Sequence, residues 1–182
     1  MKHMRIFRIA QGEYMQAVED GDLQTAARLV HQKALESGYG IGPLFHGGRY
    51  KPGVGENFIV GEEGFIFFAP EQTAQWYAEQ DERSGVTPVY LREDEYLEIS
   101  EMEWLHDTLE GGTPLMEAAE PYSGVKISIT KNADDPAWGP GPVYGVMSSD
   151  GIKLAYPVTR DDQGGVIPLE QRFDPSKTDP RY

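Results

Sequence analysis

Pro43-Leu44-Phe45-His46-Gly47-Gly48, PLFHGG in the sequence, sets a histidine between an apolar run and two glycines. A strand that ends in His-Gly holds an imidazole at the mouth of a cleft. A glycine, lacking a Cβ, lets a ligand come close. The same six letters also suit a plain turn, so the flanking sequence has to decide.

Upstream, the first forty residues read as a helical pair. Gly12 to Val18 is a short helix stopped by Gly21, and the opening MKHM is set aside from the fold reading. Asp22 caps a second helix in which Leu23, Ala26, Ala27, Val30, Ala34 and Leu35 recur with helical spacing. Gly38 follows in the position that closes a helix. His31 lies beside this apolar stripe, where a lone histidine is a boundary residue.

Downstream of Gly42 the period changes to that of strands. Leu44 to His46 is a brief strand, and 49–63 is a polar loop containing glycines. Phe65-Ile66-Phe67-Phe68, wholly apolar between Gly64 and Pro70, reads as a buried strand. Pro70 opens a helix through Ala74, Trp76, Tyr77 and Ala78. Val89 to Leu91 is another strand, and an acidic stretch, 92–122, contains a helix near Glu101 to Glu110. Val125 to Ile129 alternates with period two. KNADDPAWGPGP, Lys131 to Pro142, is loop by composition. Val143 to Met147 resumes the sheet. The segment from Asp161 is polar, shows little periodicity and is expected to lie over the surface. The chain divides into a helical pair (1–40), a core (41–160) and an irregular C-terminal tail (161–182), all within one domain of α+β class.

Composition narrows the function classes. A chain of 182 residues can bury a substantial core. Thirty acidic against sixteen basic residues give a net charge of −14, a field that repels phosphate backbones and argues against nonspecific nucleic-acid binding. A basic substrate or a protein with a basic face suits that field. Without cysteine there is no disulfide, thiol nucleophile or zinc–thiolate site. The first thirty residues lack the apolar core of a signal peptide, and no run approaches the length of a membrane span.

Three motifs fall in order: the strand ending in His-Gly, the strand–helix GFIFFAPEQTAQWYA with PVYL after it, and a late strand at Tyr144. This order resembles the ADP-ribosyltransferase fold. The likeness is to the ADP-ribosyltransferase-like domains of phage head-morphogenesis and polymorphic-toxin polyproteins, with their "YHGT … GFYF(T/S)…A..YA … VYL" signature. The helical stretch VEDGDLQTAARLVHQKALESGYG and the ending GGVIPLEQRFDPSKTDPRY resemble flanking segments of the same proteins. The likeness covers nearly the whole chain. It implies two small, mostly antiparallel sheets forming a split cleft, with NAD as substrate and no metal. His46 would hydrogen-bond a ribose of NAD, and Gly47 would hold the nicotinamide amide through its backbone. Phe67 or Phe68 would line the pocket, and Tyr77 would stack on the nicotinamide ring. The implied reaction is mono-ADP-ribosyl transfer to a protein, in a bacterial host cytoplasm or a phage particle.

The sequence departs from the His-Tyr-Glu pattern at the third motif, where Val143 occupies the glutamate position. Asp134 and Asp135, in the loop before the last strand, are the candidates to supply a carboxylate instead, and Trp138 in that loop is a candidate acceptor contact. Two alternatives therefore stand beside the transferase: an inactive structural or interaction module of a phage polyprotein, and an NAD glycohydrolase.

Other motifs carry less. GYGIG, Gly38 to Gly42, follows a helix and lacks the spacing of a dinucleotide loop. His3, His31, His46 and His106 are scattered, and HExxH is absent, so no metal site is expected. The acidic triplet Glu93 to Glu95 reads as a solvated face. Trp76 and Tyr77 point different ways from one helix; one belongs to the core, and the resemblance selects Tyr77 for the cleft.

Overall fold

The period change after Gly42 marks where helix gives way to sheet. A computed structural model describes residues 2–48, 58, 64–80, 85–110, 113–129 and 141–182. Helix α1 (Lys2–Glu19) is longer than expected, and the opening segment set aside above belongs to it from Lys2 onward. No proline or glycine interrupts that stretch before Gly12, so the helix has no early stop. Helix α2 (Leu23–Glu36) starts as the sequence indicates, with the Asp22 carboxylate accepting from the Thr25 N–H at 3.0 Å. It closes on paired bonds from Gly38 N to Leu35 O (3.2 Å) and Tyr39 N to Ala34 O (2.9 Å).

The remaining elements are β1 (Ile41–Gly48), β2 (Ile66–Phe68), α3 (Glu71–Glu79), β3 (Gly85–Leu91), β4 (Leu97–Ser100), α4 (Glu101–Glu110), α5 (Thr113–Ala119), β5 (Gly124–Ser128), β6 (Val143–Val146) and β7 (Ile152–Leu154). They form two small sheets. One has the order β1-β3-β7 and is wholly antiparallel. The other has the order β2-β6-β5-β4, antiparallel except where β4 and β5 run parallel across the α4–α5 crossover. The class is thus α+β with two small sheets and, among the described residues, five helices. No helix there is long and apolar enough to cross a membrane.

An antiparallel bridge joins the sheets, with Phe45 and Ala69 exchanging backbone bonds of 2.8 and 2.9 Å. Between them lies an apolar layer of Phe58, Ile66, Phe68, Val89, Val146 and Leu154. A second cluster, with Phe65, Trp104, Val125, Ile127 and Val143, fills the far face of the β2–β4 sheet beneath α4 and α5. A third packs the helical pair against β3 through Tyr14, Leu29, Val30, Tyr39 and Tyr90.

The C-terminal segment corrects one expectation. Residues 161–182 are irregular, with one 3₁₀ turn at Leu169–Gln171, yet they are built into the core. Ile167, Leu169, Arg172 and Phe173 are buried. The Arg172 guanidinium donates to the carbonyls of Leu154 (2.9 Å) and Tyr156 (3.0 Å) and lies over the Phe173 ring. Pro180 O accepts from Leu154 N at 2.8 Å, which covers part of the edge of β7. Buried Lys153 donates to Lys177 O at 2.7 Å, and Arg181 pairs with Asp179 and Asp162 at 2.6 and 2.7 Å. These side chains enter the core singly from irregular backbone, so no period announces them.

Candidate functional site

The two glycines after His46 have different jobs. An added Cβ at Gly47 would collide with the Ala74 carbonyl of α3, and one at Gly48 would collide with the His46 imidazole at Nε2. Gly47 therefore lets α3 lie directly against β1, while Gly48 makes room for the imidazole along the strand. PLFHGG is thus a strand with a histidine laid over its own end.

His46 is held in one orientation. Its Nδ1 lies 3.0 Å from the Phe67 carbonyl. A carbonyl only accepts, so Nδ1 carries the proton and Nε2 keeps an acceptor lone pair. The ring meets Phe58 edge-on at 5.2 Å and Phe68 at 5.6 Å. Burial pushes the imidazole below its ordinary value, and the bond to Phe67 opposes that only in part. His46 is therefore neutral near pH 7: an acceptor, not a cation.

On α3, Thr73, Ala74 and Tyr77 follow helical spacing and share the face toward β1. Thr73 and Ala74 are buried, whereas Tyr77 stands 43% exposed at the rim with its ring against Trp76 at 5.0 Å. Trp76 is half-buried, so neither member of that aromatic pair is a core residue.

These elements enclose a cleft of about 320 Å³ where the sheets part. His46 and Gly47 border it from β1, Phe67 from β2, Tyr77 from α3, Trp104 from α4 and Val143 from β6. Trp104 meets Phe67 edge-on at 5.1 Å and Phe65 at 6.3 Å. Val143 is 4% exposed, pairs with Ile127 and packs into the cluster with Phe65 and Trp104. Among the described lining residues there is no carboxylate, lysine or arginine. The walls are aromatic and aliphatic, and the polar side chains are an imidazole, the Thr73 hydroxyl and a phenol. Such a cleft suits a flat aromatic ring with hydrogen-bonding edges.

The structure thus brings His46, Gly47, Phe67, Tyr77 and Val143 to one cleft. Phe68 is a correction: it is fully buried on the opposite face of β2, where it supports the His46 ring and borders no part of the cleft. Successive strand residues alternate faces, which sets the Phe68 side chain opposite that of Phe67. Asp134, Asp135 and Trp138 lie outside the described residues. Trp104, Phe65 and Thr73 were not singled out from sequence. An aromatic inside the acidic helix EMEWLHDTLE was the signal for Trp104.

The other candidates settle as structural. His31 hydrogen-bonds the Tyr90 hydroxyl at 3.0 Å on the helical-pair side. Of the acidic triplet, Asp94 pairs with Arg92 at 2.8 Å and accepts from Ser123, while Glu93 and Glu95 are exposed. Among the described residues no group of three or more metal-ligating side chains comes together. No family model, curated protein or solved structure matches the chain.

Proposed function

We propose that this cleft holds the nicotinamide end of NAD and that the chain is an ADP-ribosyltransferase-like protein of phage or prophage origin, transferring ADP-ribose to a protein. The observation that carries the reading is the meeting of a neutral His46, the cleft-bordering Gly47 and the Tyr77 ring around an apolar slot. Tyr77 and Phe67 would clamp the nicotinamide ring, Gly47 would take its amide, and His46 Nε2 would accept from a ribose hydroxyl. In the reaction the bond from the ribose anomeric carbon to the nicotinamide nitrogen breaks, and its electron pair leaves with neutral nicotinamide. A nucleophile on the acceptor forms the new bond to that carbon and loses its proton. Clamping the leaving ring while the anomeric carbon stays reachable is positional catalysis, and it needs no metal.

Val143 favours a second reading. A buried valine where a carboxylate would steady the developing cation suits a cleft that binds NAD without turning it over, in a structural or interaction module. Incubation with NAD labelled in its adenylate, scored for labelled protein and for released nicotinamide, separates the cases. Labelled protein supports transfer, nicotinamide alone supports hydrolysis, and neither product with intact NAD binding supports the module. Absence of NAD binding refutes both transfer and hydrolysis and leaves only a module that makes no use of NAD.

A further inference from the structure

The chain's negative charge is not spread evenly. Between Arg92 and Lys126 there are ten acidic residues and no lysine or arginine, in a protein of net charge −14. That stretch contains α4 and α5, which pack against each other and carry apolar side chains that stand exposed among the described residues. Met102 is 72% exposed and Leu105 40% exposed, and their three-residue spacing puts them on one side of α4. Met116 on α5 is 38% exposed. Glu101 and Glu103 lie on α4, Glu117 on α5 and Glu120 just past its end, and all but Glu101 are exposed. Trp104, between Met102 and Leu105 in sequence, turns inward and walls the cleft. One helix therefore presents an apolar, acid-rimmed outer face and a cleft-lining inner one.

We propose that the outer face of α4 and α5 docks a protein whose surface combines apolar side chains with lysine or arginine, and that this protein is the acceptor. The inference rests on the donor-cleft reading for the acceptor role, but not for the docking itself. Charge selects the occupant. A second copy would bring two acidic rims together, and an anionic membrane or a nucleic acid would be repelled. A cationic protein gains attraction from the rim while Met102 and Leu105 supply the buried contact. A flexible methionine on an exposed helix face also adapts to varied apolar partners.

The test uses a dye-labelled 18-residue helical peptide of leucine and lysine, with a lysine–serine peptide of equal charge as control, read by fluorescence anisotropy without NAD. The amphipathic peptide should bind more tightly than the control and weaken as salt rises from about 50 to about 300 mM. Met102→Ser with Leu105→Ser should weaken it about tenfold or more, and Met102→Lys should weaken it too. A remote charge change, Glu36→Gln with Glu170→Gln, should alter it less than about twofold. All four substituted side chains are exposed, and unchanged circular dichroism on melting verifies the fold. Equal binding of both peptides, or of the Met102/Leu105 variant and wild type, overturns the proposal. So does self-association, or binding to phosphatidylserine vesicles, that disappears with the same double substitution. Because no NAD is present, failure here leaves the cleft reading standing, and failure of NAD to bind leaves this surface standing.

Discussion

Val143→Glu tests at once where the third motif lies and whether the cleft lacks only a carboxylate. Val143 is 4% exposed and packed with Phe65, Trp104 and Ile127. Losing its apolar burial costs about 1.5 kcal/mol, and burying even a neutral carboxyl without a partner adds about 1–3 kcal/mol. The loss of about 3 kcal/mol corresponds to a melting decrease of about 6–12 °C for a chain of this size. Burial raises the new acid's folded pKa above its unfolded value of about 4.3. Between those two values the folded state holds the extra proton, so stability falls as pH rises, by up to about 1.4 kcal/mol per pH unit. The variant should therefore melt closer to wild type at pH 5 than at pH 7.5. Where it stays folded, release of nicotinamide from NAD, followed by chromatography, should rise about 10²-fold, the usual worth of one well-placed electrostatic group. A folded variant that binds NAD and releases no more nicotinamide than wild type refutes the assignment of this position. A melting loss that does not change with pH refutes the buried placement of the side chain.

Gly47→Ala should force α3 away from β1, since the new methyl meets the Ala74 carbonyl; a loss of about 1–3 kcal/mol in urea unfolding and weaker NAD binding are expected, and wild-type values for both would contradict the close approach. Arg172→Met should strip the Leu154 and Tyr156 carbonyls of their donor and cost about 3 kcal/mol, with faster proteolysis of the C-terminal segment; an unchanged urea midpoint would show that this segment is not part of the core. Burial lowers the Lys153 amine to about 8 against 10.5 when unfolded. From about pH 8 to 10.5 the unfolded chain holds more protons, so stability should rise with pH by up to about 1.4 kcal/mol per unit, and Lys153→Met should flatten that slope; an identical slope in the variant would place the titration elsewhere.

Periodicity and caps made the helical pair, the strand at Phe65 to Phe68, the helix through Tyr77 and the alternating strand after Val125 legible in the sequence. Each buries one face of regular backbone, and the apolar residues repeat accordingly. The last twenty residues were not legible, because Ile167, Leu169, Arg172 and Phe173 enter the core one at a time. Arg172 reads as a surface cation until its partners are seen to be backbone carbonyls. At the site, His46, Gly47, Phe67 and Tyr77 could be placed from motif order. The choice between Phe67 and Phe68 could not be made from sequence, because it depends on which face of β2 borders the cleft. Trp104 was missed because its helix looks like a solvated acidic face from outside. The roles of Asp134, Asp135 and Trp138 rest on the sequence alone.

Calorimetric titration of NAD into wild type and into Tyr77→Ala tests the central claim most directly. Wild type should bind, and loss of one ring face should weaken binding by about 1 kcal/mol or more, at least about fivefold, while the melting temperature changes little because Tyr77 stands at the rim. Absence of heat from wild type at millimolar NAD, or equal affinity in the two proteins, would contradict the account.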